Sequence, residues 1–225
     1  MGIVRVVLDA SILAEVDLFG SLPRDVVERI AAEAQARDLR RGDVLFREGD
    51  PGNELFVVES GRIAIANKSF DGRESVVALM EAGDVFGEMS LFDGQGRSAE
   101  ARALEASRVN AVPFEPLKDL FRQQPELLWS VVALLARRIR NMDVALADSV
   151  FLDVTGRTAK RLLELADGKD EFHLPITQEE LAGLVGASRE RVNKAISSFV
   201  RLGWLEQRDR RYTIINRVQL ERRAR

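Results

Sequence analysis

Between Pro125 and Ser149 the apolar residues Leu128, Val132, Leu135, Ile139, Met142 and Leu146 recur at spacings of four, three, four, three and four. A period of 3.5 places all six on one stripe of a helix, the a/d seam along which two helices bury each other's side chains. Pro125 fits the first turn, where the amide it lacks would have had no helical partner. Leu127, Val131 and Leu134 make a second apolar set on a neighbouring face. With fewer than three heptads, the stretch also fits a single amphipathic core helix. Two apolar faces on one helix favour the other arrangement, in which one face packs on the helix's own domain and the seam lies on a dimer axis.

Upstream of this helix the texture changes once. Ser11 to Ala36 reads as helical, first with Leu13, Val16 and Leu18, then from Pro23 with Val26, Val27, Ile30 and Ala34 on one face. From Leu39, glycines at 42, 49, 52, 61, 72 and 83 punctuate short apolar runs at Val44 to Phe46, Leu55 to Val58, Ile63 to Ile65 and Val76 to Met80. Asp50-Pro51-Gly52 and Asp71-Gly72 are turn sequences between them. Strands at this regular spacing predict an antiparallel barrel or roll. Val109 to Phe114 is the expected closing strand, and Pro116 the opening of a short helix through Phe121.

Downstream, Asp153-Val154-Thr155-Gly156 is expected to break the long helix and act as a hinge, with a new helix from Arg157 to Ala166 stopped by Gly168. Thr177 and Glu180 have capping-box spacing, so a helix starts at Gln178. Gly186 gives a turn, Ser188 a second N-cap, and the next helix runs through Leu202 to Gly203. Small or slim residues at Ala182, Gly186 and Val192 let the two helices cross closely, the arrangement of a helix-turn-helix. Its second helix then projects Arg189, Glu190, Arg191 and Lys194, of which the cations can donate to guanine and the carboxylate accept from cytosine. Trp204 to Ile215 reads as a hairpin whose Arg208, Arg210 and Arg211 could touch phosphates. A helix pair with a solvated charged face would show much of the same pattern.

Charge supports a polyanion partner at this end. Residues 153–225 hold 15 Lys/Arg against 11 Asp/Glu, and the remainder 18 against 25. Cysteine is absent, which excludes disulfides, thiolate metal sites, iron–sulfur clusters and cysteine nucleophiles. The single histidine, His173, rules out a multi-histidine metal site and reads as a surface or packing residue. With neither residue in the N-terminal region, no nucleophile–base pair is suggested and an enzyme is a poor reading. The longest apolar run, Leu127 to Ala136, is interrupted by Ser130 and too short to span a bilayer. Ile3 to Leu8 carries Arg5 within its apolar run and no cleavage signature, so a cytoplasmic protein is expected.

The remaining informative stretch is Phe86 to Ala99. Three glycines and two serines leave backbone N–H groups able to approach an anion. Arg97 offers a fork for phosphate oxygens, and Glu88 an acceptor for a sugar hydroxyl. The same residues could equally form a surface ion pair on a turn, and spacing alone does not separate the two.

Four motifs give the chain a resemblance to a known family: GEMSLF and RSA within residues 87–99, the Ala136-Arg137-Arg138 run, FLDVTGR from Phe151 to Arg157, and TQEELAGLVGASRERVNK from Thr177 to Lys194. Together they resemble the cyclic-AMP receptor/Fnr family of bacterial transcription regulators over nearly the whole length. The resemblance implies an α+β chain: a β-roll effector domain at 1–123, a dimerisation helix at 124–150, and a winged helix-turn-helix at 151–225. It implies that Arg97 and Ser98 hold a cyclic phosphate, that Glu88 holds the ribose, and that Gly87, Met89, Ser90 and Ala99 supply backbone and walls. The family's iron–sulfur and haem branches need ligands this chain lacks, which leaves a cyclic nucleotide, cyclic AMP first, as effector and no cofactor. Where cyclic-AMP-binding members read the base with a threonine–serine pair, this chain has Met142 and Asp143. Methionine cannot make that hydrogen bond and aspartate accepts only from donors, which leaves the base open. On the DNA side, Ser188 is the cap, and Arg189, Glu190 and Lys194 match the family's readers of a TGTGA-type half-site in an inverted repeat. Lys194 replaces an arginine with a point charge, and Arg191 suits a phosphate. The implied partners are double-stranded DNA, the nucleotide, a second copy of the chain and RNA polymerase, with no membrane. Ligand would shift the seam near Ile139 to Met142, and the hinge would reorient the readers. A regulator of this fold with another effector or none, or a signalling module whose C-terminal helices only bind protein, are the rival readings.

Overall fold

The computed structural model describes residues 13, 16, 19, 20, 22–68 and 74–225. The expected N-terminal segment through Ser11, Leu18 and the Asp71-Gly72 turn lie outside the described residues. Two compact units part within the long helix, at residues 139 and 140, and residues 74–76, at the start of a strand whose remainder lies in the first unit, group with the second.

The first unit begins with helix α1 (Arg24–Glu33), which buries Val26, Val27, Ile30 and Ala31. Its strands are β1 (Gln35–Leu39), β2 (Val44–Phe46), β3 (Glu54–Ser60), β4 (Ile63–Lys68), β5 (Glu74–Met80), β6 (Val85–Phe86), β7 (Glu100–Ala103) and β8 (Ser107–Pro113). A short helix, α2 (Met89–Asp93), follows β6. The strands form two four-stranded sheets, ordered β1-β8-β3-β6 and β2-β7-β4-β5. The ladders between described residues are antiparallel, as the turn-rich sequence predicts. Alternation along β3 shows how the layers are held. Phe56 and Val58 point into the roll with Ile63, Phe86, Ala101, Ala103, Val109 and Ala111, whereas Leu55 and Val57 face the helices. On that outer face the sheet meets α1, helix α3 (Phe114–Gln123) and Val131 of helix α4 (Leu128–Phe151). Inside, the Phe46, Phe56 and Phe86 rings cluster with centroids 5.3–6.1 Å apart. Truncating one of the buried pair Phe56 or Phe86 would cost about 3–5 kcal/mol.

Two boundaries differ from the sequence expectation. Helix does not run to Ala36: it stops at Glu33, and Gln35–Leu39 is a strand paired with Ala111 to Ser107. Its largely polar sequence, with no alternation of exposed and buried positions, hides an edge strand that pairing with β8 creates. Phe114 is not the last residue of a strand but the first of α3, its N–H donating to the Asn53 carbonyl at 2.9 Å. Pro116 therefore sits in the first turn, where its missing amide is tolerated.

The long helix carries both expected faces. Val131 is buried and Leu134 packs on the domain core, as does Leu127 in the 3-10 turn (Pro125–Leu127) just before the helix, while Ile139, Met142 and Leu146 are 59, 69 and 65 % exposed. Leu135, counted with the seam, packs partly on the core as well.

In the second unit the helix break is narrower than expected. Only Leu152 and Asp153 are non-helical, and Val154-Thr155-Gly156 is the first turn of helix α5 (Val154–Ala166), capped by Asp153 accepting from the Gly156 N–H at 2.8 Å. Glycine at 156 lets the end of α8 approach closely: a Cβ there would lie 3.0 Å from the Arg223 carbonyl, tighter than an ordinary contact. Arg157 donates from Nη1 to the Leu152 carbonyl at 2.7 Å and from Nε to the Val185 carbonyl at 2.8 Å. After α5 comes a strand absent from the sequence reading, β9 (Glu171–His173), with His173 exposed at its end. Helices α6 (Gln178–Val185) and α7 (Arg189–Arg201) follow, then strands β10 (Leu205–Arg208) and β11 (Arg211–Ile214) of the expected hairpin. Strand β9 pairs with β11, and helix α8 (Arg217–Arg223) closes the chain against α5.

Candidate functional site

The stretch after β6 folds back on itself because its glycines allow it. Gly87 has φ of 76° and Gly94, which ends α2, has φ of 68°. Gly96 packs against the backbone of the Asp50-Pro51-Gly52 turn: a Cβ there would lie 2.8 Å from the Gly49 carbonyl. The Arg97 N–H donates to the Asp50 carbonyl and the Gly49 N–H to the Arg97 carbonyl, both at 2.8 Å. A Cβ on Gly52 would meet the Ser90 Cβ at 2.6 Å and the Arg97 guanidinium carbon at 3.2 Å. Two segments some forty residues apart are thus locked around one arginine.

Arg97 is 5 % exposed and Glu88 is fully buried, which overturns the reading of the two as a surface ion pair on a turn. They use other partners. Arg97 donates from Nη1 to the Gly87 carbonyl at 2.6 Å and from Nη2 to the Glu54 carbonyl at 2.8 Å, with the guanidinium 4.4 Å from the Phe46 ring centroid. Its Nε is buried without a partner. Burial pulls its pKa below the usual arginine value, opposed by the Glu54 and Glu88 carboxylates nearby. Arginine stays charged all the same. The fork is therefore a buried cation whose direct hydrogen bonds go to neutral carbonyls, while the nearby Glu54 and Glu88 carboxylates are shared with Arg37 and Arg138.

Around this cation the cradle offers what a phosphate needs. The Ser98 hydroxyl is exposed and lies 3.6 Å from the Met89 sulfur, Met89 is half exposed, and Ser90 and Ala99 are buried as walls. Glu88 accepts from Arg138 of α4 at Oε1, and its Oε2 has no partner. The second Arg138 nitrogen donates to the Val85 carbonyl. Arg138, Glu54 and Gly52 were not singled out as site residues from sequence; only the Ala136-Arg137-Arg138 run pointed to the first. Met142 and Asp143 lie exposed on the portion of α4 that belongs to the second unit.

The second candidate surface is built by capping. Thr177 Oγ1 accepts from the Glu180 N–H at 3.2 Å and Glu180 Oε2 from the Thr177 N–H at 2.6 Å, a complete capping box. Gly186 takes the left-handed conformation that turns α6 into α7. Ser188 caps α7 by accepting from the Arg191 N–H at 3.4 Å. Val192, Ala195, Ile196 and Phe199 bury one face, and Arg189, Glu190, Arg191 and Lys194 stand exposed on the other. Beside them a cleft of about 440 Å³ runs from Gln178 and Arg189 to Asp209 and Arg210 at the hairpin tip, with buried Tyr212 hydrogen-bonded to Gln178. Arg208 and Arg210 are exposed, and Arg211 pairs with Glu171 at 3.1 Å. Among the described residues, no group of acidic or histidine side chains could hold a metal, and no helix is long and apolar enough to cross a membrane.

Comparison with known proteins finds a family match over each of the two regions. The cyclic nucleotide-binding domain family covers residues 36–124, and the Crp-like helix-turn-helix domain family covers residues 156–223. The chain is 36 % identical over 221 residues to a CRP-like cAMP-activated global transcriptional regulator of Mycobacterium tuberculosis, spanning 95 % of this chain and 99 % of that protein. It is 34 % identical to the cyclic AMP receptor protein of Thermus thermophilus, over 83 % of this chain and 86 % of the other. Among solved structures, the c-di-GMP responsive global regulator CLP of Xanthomonas campestris superposes with a TM-score of 0.75 at 27 % identity, covering 85 % of this chain and 99 % of that one.

Proposed function

Because this chain belongs to the cyclic-AMP receptor/Fnr family of bacterial transcription regulators, we propose that it acts as a cytoplasmic homodimer that binds an inverted-repeat DNA site when a cyclic nucleotide, cyclic AMP first, fills each roll. It is a DNA-binding regulator and not an enzyme. The observation that carries the effector reading is the buried, under-partnered Arg97. A cyclic phosphate would add an anion to the guanidinium of Arg97, with Ser98 donating from the rim. A ribose hydroxyl would donate to the unpartnered Oε2 of Glu88, whose other oxygen is already held by Arg138. Since Arg138 is on α4, ligand contact at Glu88 acts on the helix that carries the seam. Arg189, Glu190 and Lys194 read base edges of a TGTGA-like half-site, Ser188 and Arg191 hold phosphate, and RNA polymerase is the partner of the DNA-bound dimer.

A second reading concerns the base. Asp143 has only acceptors, which suit the amino and imino N–H groups of guanine better than the adenine edge, and a similar regulator is described as c-di-GMP responsive. Calorimetric titration with cyclic AMP and cyclic GMP, alone and with operator DNA, separates these. Tighter binding of cyclic AMP supports the first reading and tighter binding of cyclic GMP the second; no heat with either removes the cyclic-mononucleotide effector.

A further inference from the structure

A cleft of about 380 Å³ lies between α7 and the start of α5, lined among others by Asp153, Thr155, Arg191, Lys194, Ser198 and Arg201. The four α7 residues follow spacings of three, four and three, so they form one stripe along the helix. Three cations face a single lining carboxylate, Asp153, and that carboxylate is already committed. It accepts from the Gly156 N–H and from the Arg223 guanidinium at the end of α8. The Arg223 carbonyl also abuts Gly156. These two contacts pin the end of α8 to the rim of the cleft, and Arg222 and Arg225, within two residues of Arg223 in sequence, are both exposed. At 1.5 Å per residue, Arg201 lies about 18 Å along α7 from Arg189, well past the turns that face base edges.

We propose that Arg201, Arg222 and Arg225 form a second, sequence-neutral contact with the phosphate backbone of duplex DNA outside the half-site. The contact rests on α7 being the DNA reader. Its chemistry fits a polyanion: cations outnumber the lining acid, and the stripe is continuous with the exposed face that carries Arg191 and Lys194. Because the three side chains touch no base, they add affinity and salt dependence without preference.

The test is the salt dependence of binding by the triple variant Arg201→Ala, Arg222→Ala, Arg225→Ala on two duplexes, one with long flanks and one trimmed to the half-sites. Arg223 is left in place so that the clasp on Asp153 survives, and an unchanged thermal melt shows that the fold does too. With about 0.9 units of log–log slope per phosphate contact, the variant should lose two to three units on the long duplex, which is up to about fortyfold less salt sensitivity between 50 and 200 mM. On the trimmed duplex it should match the wild type. Equal slopes on the long duplex would overturn the proposal while leaving the reader intact, provided Arg189→Ala still loses sequence preference. A wild type that binds neither duplex would remove both.

Discussion

Arg138 reaches across fifty residues of sequence to hold the carboxylate of the fully buried Glu88. Removing the arginine strips that buried carboxylate of its counter-ion. Arg138→Leu should destabilise the first unit by on the order of 3 kcal/mol, whereas adding Glu88→Gln should recover part of the loss. Urea midpoints of the single and double variants check this; a single variant as stable as wild type would show that the pair carries no weight.

For the effector, Arg97→Leu removes the cation the cradle is built around. Deleting a charge-assisted hydrogen bond from a buried site costs about 2–5 kcal/mol, so cyclic-nucleotide binding should weaken well over tenfold. The leucine also leaves the Gly87 and Glu54 carbonyls without donors, so the melt must be recorded beside the titration. Unchanged binding isotherms would rule out Arg97 as the anchor.

The exposed stripe on α4 makes a separate prediction. Ile139→Asp would bring two like charges together at a two-fold seam, a penalty of several kcal/mol. Sedimentation should then find monomers or a much looser dimer. If the variant sediments as a wild-type-like dimer at low micromolar concentration, the seam lies elsewhere.

On DNA, Arg189→Ala and Arg191→Ala should behave differently in a selection from randomised duplexes. The first should relax one guanine position at a cost of about 1–3 kcal/mol. The second should weaken every sequence alike and lower the salt slope by roughly one. Equal sharpness in both selections would take base reading away from Arg189.

Asp153 gives the pH dependence. Its hydrogen bond from the Gly156 N–H, helped by Arg223, holds its pKa below the ordinary carboxylate value. A depressed folded-state pKa means that the stabilisation is present above the unfolded value of about 3.9 and is lost as pH falls through the lower folded one. Asp153→Asn keeps a capping acceptor but cannot titrate, so its urea midpoint for the second unit should fall less between pH 5 and pH 2 than that of wild type. Parallel pH profiles would mean that Asp153 contributes nothing to acid sensitivity.

What could be read from the chain beforehand was mostly local. Thr177 with Glu180, Gly186 and Ser188 announce themselves because a cap or a left-handed turn needs only its immediate neighbours. The two faces of α4 were legible for the same reason. Gln35–Leu39 and Glu171–His173 were not, since short segments of three to five residues with little apolar pattern become strands only when β8 or β11 supplies a partner. The depth of Arg97 was hidden too: Gly52, Glu54 and Phe46 bury it, and nothing near residue 97 names them.

The two carbonyls held by Arg157 bear on how this protein could be rebuilt. One guanidinium spans from Leu152, at the end of the long helix, to Val185, at the start of the reader's turn. A chimera that grafts another sensor onto this reader should therefore splice ahead of Leu152. A junction placed a few residues later would cut through the strut that tells the turn where the incoming helix has stopped.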